Sequence, residues 1–308
     1  METRTDRLVP AAYLGVILIW TTTPLAIKWS GEGSHFLFGL LGRMAIGAVL
    51  CLALALLLRV PLPRHRRALH IYLASGLGIW GGMSCVYWGA RFIPSGWIAV
   101  IFGLTPVITG ALATFVLRER GLTPPRLAGM ALGLIGLATI FGRGASLGPQ
   151  ALWGIAAIVL ASAIQSGSAV WLKRLDTGLS ALAVTAGGLQ VATALIAATW
   201  LLVGAQWPAQ VPPRAAWAIL YLGVGGSVVG FVLYFYVLQR LEATKVALIT
   251  LVTPVSALLL GHLFNGEPLA TAVVWGTAAI LSGLLLVQFG DRWGRSMPKA
   301  APGVSLPE

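Results

Sequence analysis

The chain has 308 residues, of which 57% are hydrophobic and only 10% charged, with a mean hydropathy of +0.87. A water-soluble domain carries about 25% charged residues, so this composition excludes one and makes a lipid bilayer the consistent solvent. The net charge of +12 would point to nucleic acid in a soluble protein, but here the basic residues sit in the short gaps between apolar runs. They read as topology signals, and no nucleic-acid partner is expected.

About 20 apolar residues cross a bilayer as a helix. Ten runs qualify, at residues 8–27, 36–58, 71–90, 97–117, 127–142, 151–172, 181–204, 216–238, 246–264 and 270–289. The first follows Arg4 and Arg7 and has no small-residue cleavage site, so it reads as an uncleaved span rather than a signal peptide. The connections carry ordinary breakers, such as Pro61, Pro63, Pro124, Pro125, Pro212 and Pro213, and none is long enough for a soluble domain. Any chemistry must therefore lie between helices. The expected fold class is an all-α integral membrane protein with ten transmembrane helices. Residues 291–308 are expected to form a polar, disordered cytoplasmic tail.

Lys and Arg are distributed unevenly. The two tails and the even-numbered connections hold 16, the odd-numbered connections hold four, and Arg43 lies within a span. The positive-inside rule then puts both termini in the cytoplasm. Cys51 and Cys85 lie inside apolar runs and read as small buried residues, not a disulfide or metal pair.

The chain also repeats itself. Shifted by 148 positions, residues 78–119 align with 226–267 without a gap, and the identities include Thr105/Thr253, Pro106/Pro254, Val107/Val255 and Glu119/Glu267. A Thr-Pro-Val and a lone glutamate recurring at one spacing indicate duplicated halves, at 1–146 and 147–290. Five spans per half is an odd number, so the second half enters the membrane inverted. Inverted repeats underlie many alternating-access transporters.

At these residues the sequence resembles the EamA family of the drug/metabolite transporter superfamily. The resemblance rests on WTTTPLAIK from Trp20 to Lys28, Arg43 in the second span, TPVITGALATFVLRERGLTPPRLAGMALGLIGLATI from Thr105, and TPVSALLLGHLFNGEPLATAVVWGTAAILSGLLLV from Thr253. It covers nearly the whole chain. Arg118-Glu119-Arg120 departs mildly from the family's Gly-Glu, which the second copy keeps as Gly266-Glu267. The resemblance implies ten spans around a central cavity and metabolite transport, often export. The Trp- and Tyr-rich segments of spans 1, 3, 6 and 8 resemble the aromatic amino-acid exporter branch.

The candidate substrate-binding residues are Trp20, Trp80, Ser84, Tyr87, Gln165, Ser168, Trp171 and Tyr234. Trp20 lies too deep in its span for an interface belt, and Trp80, Ser84 and Tyr87 share one helical face. Gln165 stands eight residues before Lys173, as Trp20 stands before Lys28, and forms a polar face with Ser168. Pro24, Pro106 and Pro254 fall mid-span and can bend their helices as a gate opens or simply shape the bundle.

Arg43 is the one charge well inside a span and should face the bundle interior or water. It could hold a substrate carboxylate or pair with backbone carbonyls. Because the resembled family carries arginine here for varied substrates, a structural or gating role is expected. Glu119 and Glu267, at opposite membrane faces, read as helix-end or gate contacts, and His262 as a packing residue. The run Gly76-x-Gly78-x-x-Gly81 matches a dinucleotide fingerprint but lies within a span, so it reads as close helix packing.

No Asp or Glu lies in the middle of a span, which argues against a carboxylate proton relay and for facilitated transport. The spans lack the paired Lys or Arg that phosphate-bearing substrates require. No metal-ligand spacing, cofactor motif or catalytic constellation is visible, so neither metal, cofactor nor enzymatic activity is expected. The expected partners are a small-molecule substrate, an amino acid or related metabolite, and the lipid bilayer; oligomeric state is left open, a monomer being compatible. A broad exporter of toxic cations would want an acidic cavity residue. A non-transporting membrane enzyme or scaffold would show no flux.

Overall fold

A stretch that meets hydrocarbon must satisfy every backbone N–H and C=O within itself, which a helix does. The computed structural model describes residues 8–117, 123–143, 150–175, 178–251 and 253–296. Among these residues all regular structure is helical. In chain order the helices are α1 (Leu8–Ser30), α2 (Phe36–Leu57), α3 (Arg66–Gly89), α4 (Ser95–Phe102), α5 (Thr105–Val116), α6 (Pro124–Arg143), α7 (Ala151–Leu175), α8 (Ala181–Val203) and α9 (Pro213–Tyr221). A π-helical turn, Leu222–Val229, joins α9 to α10 (Gly230–Arg240). Then come α11 (Ala243–Ala247), a 3₁₀ turn at Leu248–Leu251, α12 (Thr253–Asn265) and α13 (Thr271–Ser296).

Among the described residues seven segments are long and apolar enough to cross a membrane: Leu8–Ser30, Phe36–Leu57, Arg66–Gly89, Ser95–Val116, Ala151–Leu175, Ala181–Val203 and Pro213–Arg240. Three expected spans are not single α-helices. The run at 97–117 breaks at Gly103–Leu104 into α4 and α5, the run at 216–238 passes through the π turn, and the run at 246–264 is interrupted by the 3₁₀ turn. Pro106 and Pro254 sit at the second positions of α5 and α12. There a missing N–H costs nothing, because the first helical N–H groups have no intrahelical partner. These prolines therefore begin new helices instead of bending one. Pro24 lies inside an unbroken α1. The last helix runs on to Ser296, so the expected tail is helical through its first six residues.

The helices pack in a layered bundle. α3 lies against α7 and α8, α2 against α8 and the π turn, α1 against α10 and α12, and α6 along α13. The glycine row of α3 makes the first of these approaches possible. A Cβ at Gly76 would come 2.5 Å from the Val191 side chain, and one at Gly78 would collide with Ser168.

One end of the bundle is tied by polar contacts. Pro94 precedes α4 and offers no side-chain cap. Glu267, from the α12–α13 connection, supplies it: Oε1 accepts from the Ser95 N–H at 2.9 Å, and Oε2 from the Ser95 hydroxyl at 2.9 Å and the Gly96 N–H at 3.2 Å. A carboxylate suits the positive end of a helix. Asn265 Nδ2 donates to Glu267 Oε1 at 2.9 Å, Trp29 Nε1 donates to Asn265 Oδ1 at 3.1 Å, and Lys28 Nζ donates to the Ile93 carbonyl at 2.8 Å. The contact thus joins the end of α1, the start of α4 and the loop after α12. At the same end His35 Nδ1 accepts from the Leu37 N–H at 3.3 Å and caps α2. Burial, and then the charge of Arg91, hold the imidazole pKa below its usual value, which keeps that nitrogen free to accept.

Glu267 is only 8% exposed, so its removal leaves buried donors unpaired. Glu267→Ala should cost ~2–4 kcal/mol, with Glu267→Gln about half as damaging. Thermal unfolding of the detergent-purified protein measures this. A Glu267→Ala variant that melts with the parent would contradict the capping account.

Candidate functional site

Near the middle of the bundle two small cavities adjoin. The first, about 60 Å³, is lined by Trp20, Thr23 and Pro24 of α1, Arg43 of α2, Met83 and Val86 of α3, Ile98 and Phe102 of α4, Gln165 of α7, Phe231 of α10, and Thr250 and Thr253. The second, about 20 Å³, is lined by Trp20, Thr105, Thr109, Gln165, Ser166, Tyr234 and Thr250, with Ala243, Val246 and Ala247 of α11. Trp20, Gln165 and Thr250 border both, and so form the partition between them. The Trp20 and Tyr234 rings lie 5.2 Å apart at 33°.

The local causes are readable. Pro24 has no N–H, so the carbonyl of Trp20, four residues earlier, loses its helical donor beside the cavity. Thr23 Oγ1 turns back on the neighbouring Ile19 carbonyl at 2.8 Å and leaves that of Trp20 unserved. On the opposite wall Thr109 donates to Ser166 at 2.8 Å and Thr105 to Ser162 at 3.3 Å, holding α5 to α7. The Gln165 amide has no hydrogen-bond partner among the described residues, although it borders both cavities. A half-buried amide in that position is free to meet water or a ligand.

Arg43 is 2% exposed. Its Nε donates to Ser227 Oγ at 3.0 Å, and Nη1 is enclosed without a partner. Ser227 belongs to the π turn, a geometry that recurs at functional sites. The neighbouring Gly226 leaves room for the guanidinium, since a Cβ there would stand 3.0 Å from Nη2. A charge at this depth in a membrane costs roughly 2.5–3.5 kcal/mol or more. One hydroxyl bond offsets only part of that.

Two larger recesses lie at the ends of the bundle. One, of about 350 Å³, is lined by Lys28, Glu32, Ser34, Phe36, Tyr87, Arg91 and Asn265, among others. The other, of about 380 Å³, is lined by Lys173, Leu179, Val184, Phe235, Gln239 and Arg240, among others. Ile27 lines both the first recess and the larger central cavity, so its side chain stands between them.

The residues singled out in the sequence distribute as follows. Trp20, Gln165, Tyr234, Pro24 and Arg43 come together at the centre. Tyr87 lies in the end recess, where the Ser30 hydroxyl donates to its phenol oxygen at 3.5 Å. Trp80 Nε1 donates to Thr199 Oγ1 at 3.1 Å, and Ser168 Oγ donates to the Ala74 carbonyl at 2.9 Å; both seal helix pairs instead of lining the cavities. Ser84 Oγ is enclosed without a partner. Trp171 is 42% exposed, on the outer side of α7. Glu119 lies outside the described residues. Thr23, Thr105, Thr109, Ser166, Thr250, Phe102 and Phe231 escaped the sequence reading. The repeated Thr-Pro pair was the available signal for Thr105 and Thr253.

A multi-pass helical membrane protein with a small aromatic and polar central site, and a recess at each end, has the architecture of a solute carrier. The model of the EamA-like transporter family matches residues 10–142 and again residues 152–289, and the chain belongs to that family. It is 26% identical to an uncharacterized transporter of Bacillus subtilis, YoaV, over 90% of this chain and 95% of the relative. It is 28% identical to a probable terminal-alkyne amino-acid exporter of Streptantibioticus cattleyicolor, over 93% and 95%. It is 26% identical to the uncharacterized inner membrane transporter YedA of Escherichia coli K12, over 94% of each. A solved crystal structure shares the fold, with a TM-score of 0.70 at 20% identity, covering 92% of this chain and 98% of the other.

These positions separate cavity wall from packing. Trp20→Ala should cut substrate flux in reconstituted vesicles about tenfold or more, from loss of a ring contact. Trp80→Phe and Trp171→Ala should stay within about twofold, because neither ring borders the cavities. Equal losses in all three variants would contradict the assignment.

Proposed function

We propose that the chain exports amino acids and related small metabolites, aromatic amino acids among them, by alternating access between two inverted five-span halves in a bacterial-type inner membrane. The observation that carries this reading is the small volume of the centre. A polar and aromatic site bordered by Trp20, Arg43, Gln165 and Tyr234 is too small for an amino acid as it stands, since ligand sites usually span about 300–1,000 Å³. It lies between two recesses of larger volume. A site that must open, with space at either end, is what alternating access requires.

The packing pairs support the inverted halves. Shifting one half onto the other exchanges α3 against α7 for α10 against α1, α5 against α7 for α12 against α1, and α5 against α11 for α12 against α4. The pairs α2 with α8 and α6 with α13 map onto themselves. Breaks before Thr105 and Thr253 stand at equivalent places, as in transporters built from discontinuous helices. The excess of Lys and Arg in the tails and even-numbered connections supports cytoplasmic termini. The relative named as an amino-acid exporter supports the substrate class.

The aromatic walls Trp20, Phe102, Phe231 and Tyr234 offer stacking to an aromatic side chain. Among the described residues no Asp or Glu lines either central cavity. That favours movement down the substrate gradient over coupling through a carboxylate proton relay.

Liposomes containing the purified chain, tested with labelled tryptophan, phenylalanine, threonine and a quaternary ammonium dye, check the reading. Flux of the aromatic amino acids, reduced by Gln165→Ala, is expected. Dye flux alone would indicate a cation exporter, and no flux of any solute a non-transporting scaffold.

A further inference from the structure

We infer that Arg43 is a carboxylate-binding group of the central cavity, so that the site selects small zwitterionic or anionic carboxylates over the corresponding amides and amines. This rests on the transport reading, and it replaces the structural or gating role expected of Arg43 from sequence.

The argument begins with the guanidinium's partners. Arginine carries five N–H donors. Among the described residues Arg43 spends one, Nε, on Ser227 Oγ, and Nη1 is enclosed without any acceptor. Nη1 and Nη2 form the end edge of the plane, the edge that meets a carboxylate through two parallel hydrogen bonds. The Ser227 bond fixes the plane and leaves Nη1 on that edge without an acceptor among the described residues. The residue borders the larger central cavity, while Nη1 itself is enclosed and Nη2 stands close to Gly226, so a carboxylate reaches this edge only as the site opens.

Charge balance points the same way. The described acidic side chains are committed elsewhere: Glu32 to Arg214, Glu242 to Lys245, and Glu267 to the start of α4. No described residue supplies Arg43 with a counter-charge. Pairing with backbone carbonyls, the other way to settle a buried arginine, is not seen among the described residues either. A buried cation facing a cavity therefore awaits an anion.

The remaining polar groups suit the other end of an amino acid. The Gln165 amide oxygen, the freed Trp20 carbonyl and the Thr250 and Thr253 hydroxyls are neutral acceptors. They can receive an ammonium group, but none carries the negative charge that would hold a cation lacking a carboxylate. Arg43 would repel such a cation. The arrangement accordingly favours a zwitterion and disfavours an amine of the same shape.

The test is ligand binding to the purified full-length chain in detergent, read as thermal stabilisation during titration. The probes are L-tryptophan and L-phenylalanine beside their primary amides, which differ only at the carboxylate. For the wild type each acid should half-saturate at a concentration about tenfold or more below its amide. Arg43→Gln should bring the two within about twofold, and Arg43→Lys, which keeps the charge but not the planar fork, should retain part of the preference. Equal binding of acid and amide to the wild type, an unchanged preference in Arg43→Gln, or no binding of either acid would overturn the inference. The wild-type comparison stands even if Arg43→Gln does not fold. Liposome flux without acid preference would sink the carboxylate site and leave transport intact, whereas acid preference without flux would do the reverse.

Discussion

Hydrocarbon offers no hydrogen-bond partners, and the rest of this molecule follows from that. A chain with 57% hydrophobic residues can turn apolar side chains outward on every helix. Exposed Leu56, Leu57, Leu202 and Trp275 are then ordinary lipid-facing groups. Polar side chains within a span instead tend to turn inward or bond their own helix. Thr105, Thr109, Ser162, Ser166, Ser227, Thr250 and Thr253 are all buried, and they gather where α1, α5, α7 and the broken segments meet. The centre is polar because the outside cannot be.

The same constraint explains where the helices break. An interrupted helix frees backbone groups, which are tolerated at membrane depth only inside the bundle or beside a cavity. Gly103–Leu104, the π turn at Leu222–Val229 and the 3₁₀ turn at Leu248–Leu251 all lie on segments that border the central cavities or hold Arg43. Irregular backbone, unpaired Gln165 and under-satisfied Arg43 thus occupy one small volume. On the proposed account the unmet polar capacity of Arg43 and Gln165 is what a substrate completes. The tie through Glu267, Asn265, Trp29 and Lys28 closes one end around it.

Much of this was legible in the sequence, for reasons that also mark where legibility ends. Apolar runs announce helices in lipid, and Arg43 had to face inward because of its charge. Trp20 and Gln165 stood out by depth and by their matching distances from Lys28 and Lys173. What failed was direction. A helix that is apolar all round has no polar face to set its rotation, so Trp171 could as well point to lipid, and it does. Trp80 and Ser168 are inward but spent on neighbouring helices. The prolines were visible, yet their effect depends on register: Pro24 sits within a helix, while Pro106 and Pro254 start one. Glu267 was expected at a helix end. The helix it caps, α4, is 171 residues away in sequence, a distance no local pattern spans.

The central claim is that substrate sits between Trp20, Arg43 and Gln165. A structure of the full-length chain determined with saturating L-tryptophan tests it most directly. The account predicts an enlarged central cavity containing the ligand, its carboxylate on the Nη1–Nη2 edge of Arg43 and its ring beside Trp20. Ligand confined to the end recesses, with the central cavity no larger and Arg43 still bonded to Ser227 alone, would contradict it.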